Sequence, residues 1–282
     1  NGDVHFMNIQ LIALDLDRTT LNSKGKLSKV NYEALTHAIR NGVHVCIASG
    51  RAFDTLPKDV LSVPGIEYAI TSNGAAVYNI KTGKRMRSFL LTEQSVDIIM
   101  DIAGKYPVTY EAFINGVAYA GEEYIKNPVK YGATPHSIDY VQSTRNIITD
   151  IVGFISKNKD KLDCMDIIVN DDDLKKHIMN EINNATNEVY LTSSIKQLLE
   201  ISYKDAGKKS GLKFLAEFLN IPRENIAAFG DADNDLDMIE YAGCGIAMAN
   251  ASDNLLKAAD YTTLHHDKDG VAYAFKNIIK VY

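Results

Sequence analysis

Residues Ile9 to Asp17 read IQLIALDLD, an apolar run that stops on two carboxylates. The run Ile9–Leu14 predicts a short strand buried on both faces, because such strands read as continuous apolar stretches. Asp15 and Asp17 stand at its mouth, and two acids so close together are costly to bury without a cation or a proton. A second apolar run, Ile226 to Phe229, leads into Gly230-Asp231-Ala232-Asp233-Asn234-Asp235. Two carboxylate clusters at strand ends, far apart in the chain, predict one divalent-cation site with a nucleophile in it.

Outward from the first strand the pattern alternates. Ser28 is placed to cap a helix with Val30, Ala34, Leu35, Ala38 and Ile39 on its apolar face and Gly42 at its stop. Val43–Ala48 and Tyr68–Thr71 read as strands, and Ala75–Asn79 and Arg85–Leu91 as a hairpin around Lys81-Thr82-Gly83. Strand–helix–strand order with short turns predicts a parallel, right-handed layer. From Thr92 to about Ser194 the chain is richer in polar residues, Tyr and Asn. There the reading is helix at Glu93–Ala103, strand at Ile151–Ser156, helix at Asp172–Ala185 and strand at Glu188–Thr192. From Leu198 the core pattern is expected to resume, with helix Lys209–Leu219, strand Ile226–Phe229, helix Asp235–Tyr241, strand Gly245–Met248 and a last helix from Val271. The expected fold is α/β, a Rossmann-like parallel-sheet core with an inserted α/β cap domain. The expected division is 7–90 and 199–282 for the core and 91–198 for the cap.

Composition narrows the function. The chain has 282 residues, 46% hydrophobic and 23% charged, which is ordinary globular composition with ample core. Its net charge of -6 argues against a broad nucleic-acid face. No apolar run is long enough to span a bilayer, so no membrane partner is expected. Asn1 to Phe6 lack the features of a signal peptide, and Met7 reads as the native start. Cys46, Cys164 and Cys244 match no zinc spacing and read as small core residues in a reducing, cytoplasmic setting.

In a parallel sheet, ligands bind at the carboxyl ends of the strands. Four groups of polar residues are expected there: Asp15, Asp17 and Thr19; Ser49-Gly50-Arg51; Lys208; and Asp231, Asn234 and Asp235. A carboxylate beside a divalent cation can attack phosphorus, while Lys, Ser and turn N–H groups hold the equatorial oxygens. A second carboxyl two residues on can protonate the leaving alcohol and then activate water. Oxygen-only ligands favour Mg²⁺.

These residues carry a resemblance. Asp15-Leu16-Asp17-Arg18-Thr19-Thr20, Ala48-Ser49-Gly50-Arg51, Ser72-Asn73-Gly74-Ala75, the Lys208 segment and Gly230 to Asp235 resemble the ordered motifs of the haloacid dehalogenase superfamily. The long insert resembles its Cof-type branch of sugar-phosphate phosphatases. The resemblance implies Asp15 as nucleophile and Asp17 as general acid and base. It implies Mg²⁺ held by Asp15, Asp17 through its carbonyl, and Asp231. It implies phosphate contacts from Leu16, Ser49, Gly50, Lys208 and Asn234, with Thr19, Arg51, Asn73 and Asp235 in support, Asp235 orienting Lys208 or a metal-bound water. The implied partner is a small phosphorylated metabolite; oligomeric state is not readable. The family usually has Gly at the position of Arg18 and Leu at Thr20, and often Gly-x-Ser-Lys-Gly where this chain has Asp205-Ala206-Gly207-Lys208-Lys209.

Other readings compete. A phosphomutase would share the core motifs, and Arg18 keeps open a catalytically impaired phosphate-binding protein. An EF-hand loop fails because Leu236 and Ala242 stand where Gly and Glu are needed. A dehalogenase has no use for Asp17 or a metal, and a receiver domain is disfavoured by length and by Asp17. Asp233 and Asp237 read as solvated helix-start acids. Arg51 is either a helix-surface residue or a partner of a site acid. His265-His266 reads as loop without a third ligand, Tyr106, Tyr110 and Tyr119 as core or surface rather than a sugar site, and Lys157–Asp163 as a solvated turn.

Overall fold

The strand after Ile9 runs Leu11–Leu14 with every residue buried. It lies parallel between Ile226–Gly230 and His44–Ala48, with Leu14 beside Phe229 and Ile47. This computed structural model describes residues 8–282, so the expected start at Met7 lies outside the described residues. The strand is central in an eight-stranded sheet ordered Tyr261–Thr262, Cys244–Ala247, Ile226–Gly230, Leu11–Leu14, His44–Ala48, Tyr68–Thr71, Ala76–Asn79 and Lys84–Ser88. The first six run parallel to one another; Ala76–Asn79 is antiparallel to Tyr68–Thr71 and forms an antiparallel hairpin with Lys84–Ser88. Alternate residues of the central strand feed two apolar layers. Ile12 and Leu14 pack with Leu35 and Phe275 on one face, and Leu11 and Ala13 with Leu212 and Met238 on the other. Sheets covered on both faces need such unbroken apolar strands.

A second sheet is ordered Val189–Thr192, Leu198–Tyr203, Leu162–Ile168, Thr109–Ile114, Val117–Gly121 and Asn146–Ile148. Helices Glu93–Ala103, Ile151–Lys157 and Asp172–Ala185 cover one face, where Ile99, Ile155 and Ile178 pack on Ala112, Met165, Ile167, Leu199 and Ile201. The chain crosses between the sheets twice, and Phe89 on the way out stacks on Tyr203 on the way back, their ring centres 5.7 Å apart. The protein is thus an α/β fold, a Rossmann-like core sheet with a second α/β sheet set into it.

Several expectations are corrected. Ile151–Ser156 is not a strand but part of the helix Ile151–Lys157. The Asp150 side chain accepts from Gly153 N, and Ile151 and Ile155 are both buried one turn apart, so a cap and an i,i+4 pair outweigh β-branched propensity. The core pattern does not resume at Leu198, because Leu198–Tyr203 pairs antiparallel with Leu162–Ile168 in the second sheet. Lys157–Asp163 is not all solvated turn: Leu162 and Asp163 begin a strand, and the fully buried Asp163 pairs with Arg85 and accepts from Gly116 N at 2.9 Å. Ser28 does cap the helix Lys29–Arg40, but Val30 is exposed, and the buried position is Asn31, whose side chain donates to Thr20 O and accepts from Ala272 N. Tyr110 lies in the apolar core of the second sheet, Tyr119 packs on Phe154, and the Tyr106 hydroxyl bonds Glu181, so none of the three meets the core strand ends. His265-His266 has Asp267 as a near third group, and buried His266 bonds Leu21 O through Nδ1 at 2.9 Å. The three cysteines are free and buried.

Candidate active site

After Leu14 the chain turns sharply. Thr20 Oγ1 donates to Asp15 O at 2.6 Å and Leu21 N to Leu16 O at 2.9 Å, closing a loop over 16–20. Arg18 sits in it at φ 60°. This left-handed conformation is one that Gly adopts without strain, which explains why Gly is usual at this position of the motif. The loop fixes Asp15, 6% exposed, at the end of the central strand. Ser49 follows the neighbouring strand on one side and Asp231 the neighbouring strand on the other.

Lys208 opens the helix Lys208–Leu219 and is fully buried, whereas Lys209 is exposed. Its Nζ lies 2.8 Å from Asp15 Oδ1 and 2.6 Å from Asp235 Oδ1. The helix start is brought in by close backbone contact: Gly207 N donates to Asn73 O, and a Cβ on Gly74, at φ 85°, would lie 1.9 Å from Gly207 O. Asp235 Oδ2 accepts from Asp231 N and Ala232 N at 3.0 and 3.1 Å, and Thr19 Oγ1 donates to Asp231 Oδ1 at 3.3 Å. Asn234 Nδ2 donates to Asn73 Oδ1 at 3.0 Å, and Asn73 Nδ2 to Glu200 Oε1 at 2.9 Å. Glu200 belongs to the second sheet, and a Cβ on Gly50 would stand 3.0 Å from its Oε1, so a side chain at position 50 would crowd this contact between the two sheets. Ser49 is buried, its Oγ accepting from Arg51 N at 3.1 Å.

Asp15, Asp231 and Asp235 each offer an oxygen within 4.8 Å of the others. Burial drives the Asp15 carboxyl well above the usual range, against the pull of Lys208 and with a push from Asp235 and Asp231. Burial and the Asp235 charge push Asp231 up to about 7, against Arg18 and Lys208. Burial works to lower Lys208, but Asp15 and Asp235 overcome it and the ammonium is held above its ordinary range. The three buried carboxylates thus outnumber the cations that pair them, Lys208 with Asp15 and Asp235 and Arg18 with Asp231. That donor set, all hard oxygen with negative charge in excess, fits a divalent cation.

Asp17 lies apart from this cluster. Its carboxylate is half exposed and held by Arg51, Nε to Oδ2 at 2.8 Å and Nη2 to Oδ1 at 2.6 Å. The Arg51 guanidinium lies 4.0 Å from the ring centre of Tyr140, in the helix Pro135–Thr144 attached to the second sheet. Arg51 is therefore a partner of a site acid rather than a helix-surface residue. Arg18 Nε lies 3.4 Å from Asp231 Oδ2, so the bulky cation also faces the cluster. Asp233 is exposed as expected, but Asp237 is not simply solvated: its Oδ2 accepts from Lys209 N, its Oδ1 is buried without a partner among the described residues, and burial pushes it up to about 6. Sequence reasoning missed Glu200, Tyr140 and Arg145. Glu200 left one signal, a single acid inside the apolar run Leu198–Ile201.

Residues 12–275 match the family described as haloacid dehalogenase-like hydrolase. Phosphatase YwpJ of Bacillus subtilis is 30% identical over 96% of this chain and 100% of its own length. The 5-amino-6-(5-phospho-D-ribitylamino)uracil phosphatase YcsE of the same organism is 27% identical over 96% of each chain. A solved haloacid dehalogenase-like hydrolase from B. subtilis superposes with a TM-score of 0.82 at 29% identity, over 96% of this chain and 100% of that one.

Proposed function

This chain belongs to the haloacid dehalogenase-like hydrolases, in their Cof-type branch, and is a phosphoric monoester hydrolase; from that premise we propose that it dephosphorylates small sugar and alditol phosphates, with Asp15 as nucleophile and Mg²⁺ as cofactor. The observation that carries this is the meeting of Asp15, Asp231, Asp235 and buried Lys208 at the carboxyl end of the central strand. A sugar-like alcohol is supported by the relative YcsE, whose name gives it a phosphorylated ribityl substrate.

Asp15, Asp231 and the Asp17 carbonyl would hold Mg²⁺, which when bound draws in the phosphoryl group and screens it from the attacking carboxylate. Lys208 would hold an equatorial oxygen, with Ser49 Oγ, Leu16 and Gly50 N–H and the Asn234 amide around the others. Asp15 attacks phosphorus; the P–O bond to the alcohol breaks and Asp17 gives the alkoxide its proton. Asp17, now a carboxylate, takes a proton from water, which attacks the aspartyl-phosphate and releases inorganic phosphate. Each of these Asp17 roles requires its carboxylate to leave Arg51. The second sheet, from residue 91 with a return near Lys204, acts as the cap. The alcohol side of the substrate would lie between it and Gly50.

The test is intact-mass analysis of protein quenched in acid during turnover of a sugar phosphate. An adduct of one phosphoryl group on Asp15 is expected in Asp17→Asn, and none in Asp15→Asn. Phosphate release by Asp15→Asn at the wild-type rate would remove the nucleophile from the proposal. Excess chelator should stop turnover and Mg²⁺ restore it.

A further inference from the structure

The second sheet turns a row of acids toward the core. In register across three neighbouring strands lie Glu111, Asp166 and Glu200. Directly paired residues share a face. Their strand neighbours Ala112, Met165, Ile167, Leu199 and Ile201 enter the apolar core under the helices, so the acids occupy the opposite face. That face meets the core: Cys164 and Phe113 pack on Ala52, and Glu200 reaches Asn73.

The three acids are not equally provided for. Glu111 accepts a two-pronged pair from Arg145, Nε and Nη2 both at 2.9 Å. Among the described residues Glu200 accepts hydrogen bonds from uncharged donors, Asn73 Nδ2 and Ser194 N. Asp166 is 4% exposed and accepts no hydrogen bond among the described residues. Nearby cations are committed elsewhere: Lys208 to Asp15 and Asp235, Lys175 to Ser193 Oγ and Lys196 O, Arg145 to Glu111. Two buried carboxylates side by side with no cation between them are costly. Burial and the Glu200 and Glu111 charges drive Asp166 well above the usual carboxylate range, and burial raises Glu200 as well. A group carrying N–H donors and positive charge would repay both acids, whereas a second phosphate or a carboxylate would be repelled.

We propose that Asp166 and Glu200 form a subsite for an ammonium group on the alcohol side of the substrate, making amino-sugar or amino-alcohol phosphates the preferred class. This rests on the phosphatase reading for where the phosphate lies: Glu200 touches Asn73 and Gly50, next to the Ser49 and Asn234 expected to hold it. Asp166, one strand further from the core contact, receives the far end of the substrate.

The test uses the full chain with Mg²⁺ and two series of non-hydrolysable ligands, ω-aminoalkyl phosphonates of graded length and their ω-hydroxyalkyl counterparts, titrated calorimetrically. At one chain length the amino compound is expected to bind about tenfold tighter or more, the size of one charge-assisted hydrogen bond. Asp166→Asn should erase that preference, and Glu200→Gln should reduce it. Equal affinities at every length in the wild-type protein would overturn the subsite, and so would a preference that survives in both variants. Hydrolysis of p-nitrophenyl phosphate is followed in parallel. If the preference is present without hydrolysis, the subsite stands and the phosphatase reading falls.

Discussion

Arg18 sets two costs against each other. Its left-handed backbone strains a residue with a Cβ by about 1–2 kcal/mol, and its guanidinium stands 3.4 Å from Asp231, where it would compete with a bound cation for the same carboxylate. Arg18→Gly should leave stability nearly unchanged, because relief of strain is offset by a freer unfolded chain. It should lower the Mg²⁺ concentration for half-maximal activity, and an unchanged or raised requirement would show that Arg18 does not compete. Asp231 carries a second prediction. In metal-free protein its pKa stands at about 7, while the unfolded chain keeps an ordinary value near ~3.9. Between those values the folded form holds a proton that the unfolded form has lost, so stability falls as pH rises from about 4 to about 7 and this group takes away nothing more above that. Thermal melts without metal should show the slope, Asp231→Asn should flatten it, and Mg²⁺ should raise Tm more at pH 8 than at pH 5. A slope identical in the variant would assign it to other groups.

At the scale of elements, two devices position the site. The helix Lys29–Arg40 is anchored by Ser28, whose Oγ accepts from Asn31 N at 3.0 Å and donates to Asp269 Oδ1 at 2.5 Å, tying it to the start of the last helix. Asn31 in turn holds Thr20 O in the loop that follows Asp15. Ser28→Ala should cost about 1–2 kcal/mol in denaturant unfolding; a loss well under that would mean the cap is replaced by water. The second device is the Arg51–Asp17 pair under Tyr140, which joins the loop carrying Asp17 to a helix of the second sheet. Tyr140 also lies 4.6 Å from Arg145, so one ring is shared by two guanidinium groups. Glu111→Ala would leave Arg145 buried without its partner, and breaking a pair this buried costs about 3–5 kcal/mol. The expected result is a second sheet that loosens before the first, seen as hydrogen exchange rising in Thr109–Ile114 and Leu162–Ile168 while Leu11–Leu14 stays protected. Uniform loss of protection would mean that the two sheets unfold together.

For the whole molecule, local order determined the core. The strand Leu11–Leu14, the capped helix after Ser28, the hairpin at Gly83 and the strand Ile226–Gly230 were legible because each is marked by an unbroken apolar run, a cap or a turn residue. The candidate chemistry was legible for the same reason: Asp15, Asp17, Ser49, Lys208 and the Asp231–Asp235 cluster all follow such runs or turns at element ends. The second sheet was much less so. Its strands carry acids, Glu111, Asp166 and Glu200 among them, on the face that meets the core, which breaks the apolar pattern that marks a buried strand. Glu111 and Glu200 are tolerated there because groups distant in sequence, Arg145 and Asn73, come within reach of them. The return point of the insert was misplaced for a related reason, since local order does not say which sheet Leu198–Tyr203 joins and only its pairing with Leu162–Ile168 assigns it to the second one. The amino-acid order by itself thus determined which groups stand at the strand ends, since burial periodicity is local. Tertiary structure alone decided that Asp235 joins Asp15 and Asp231, that Arg51 turns Asp17 away, and that Glu200 closes over Gly50, because long-range pairing sets which charges share a buried space.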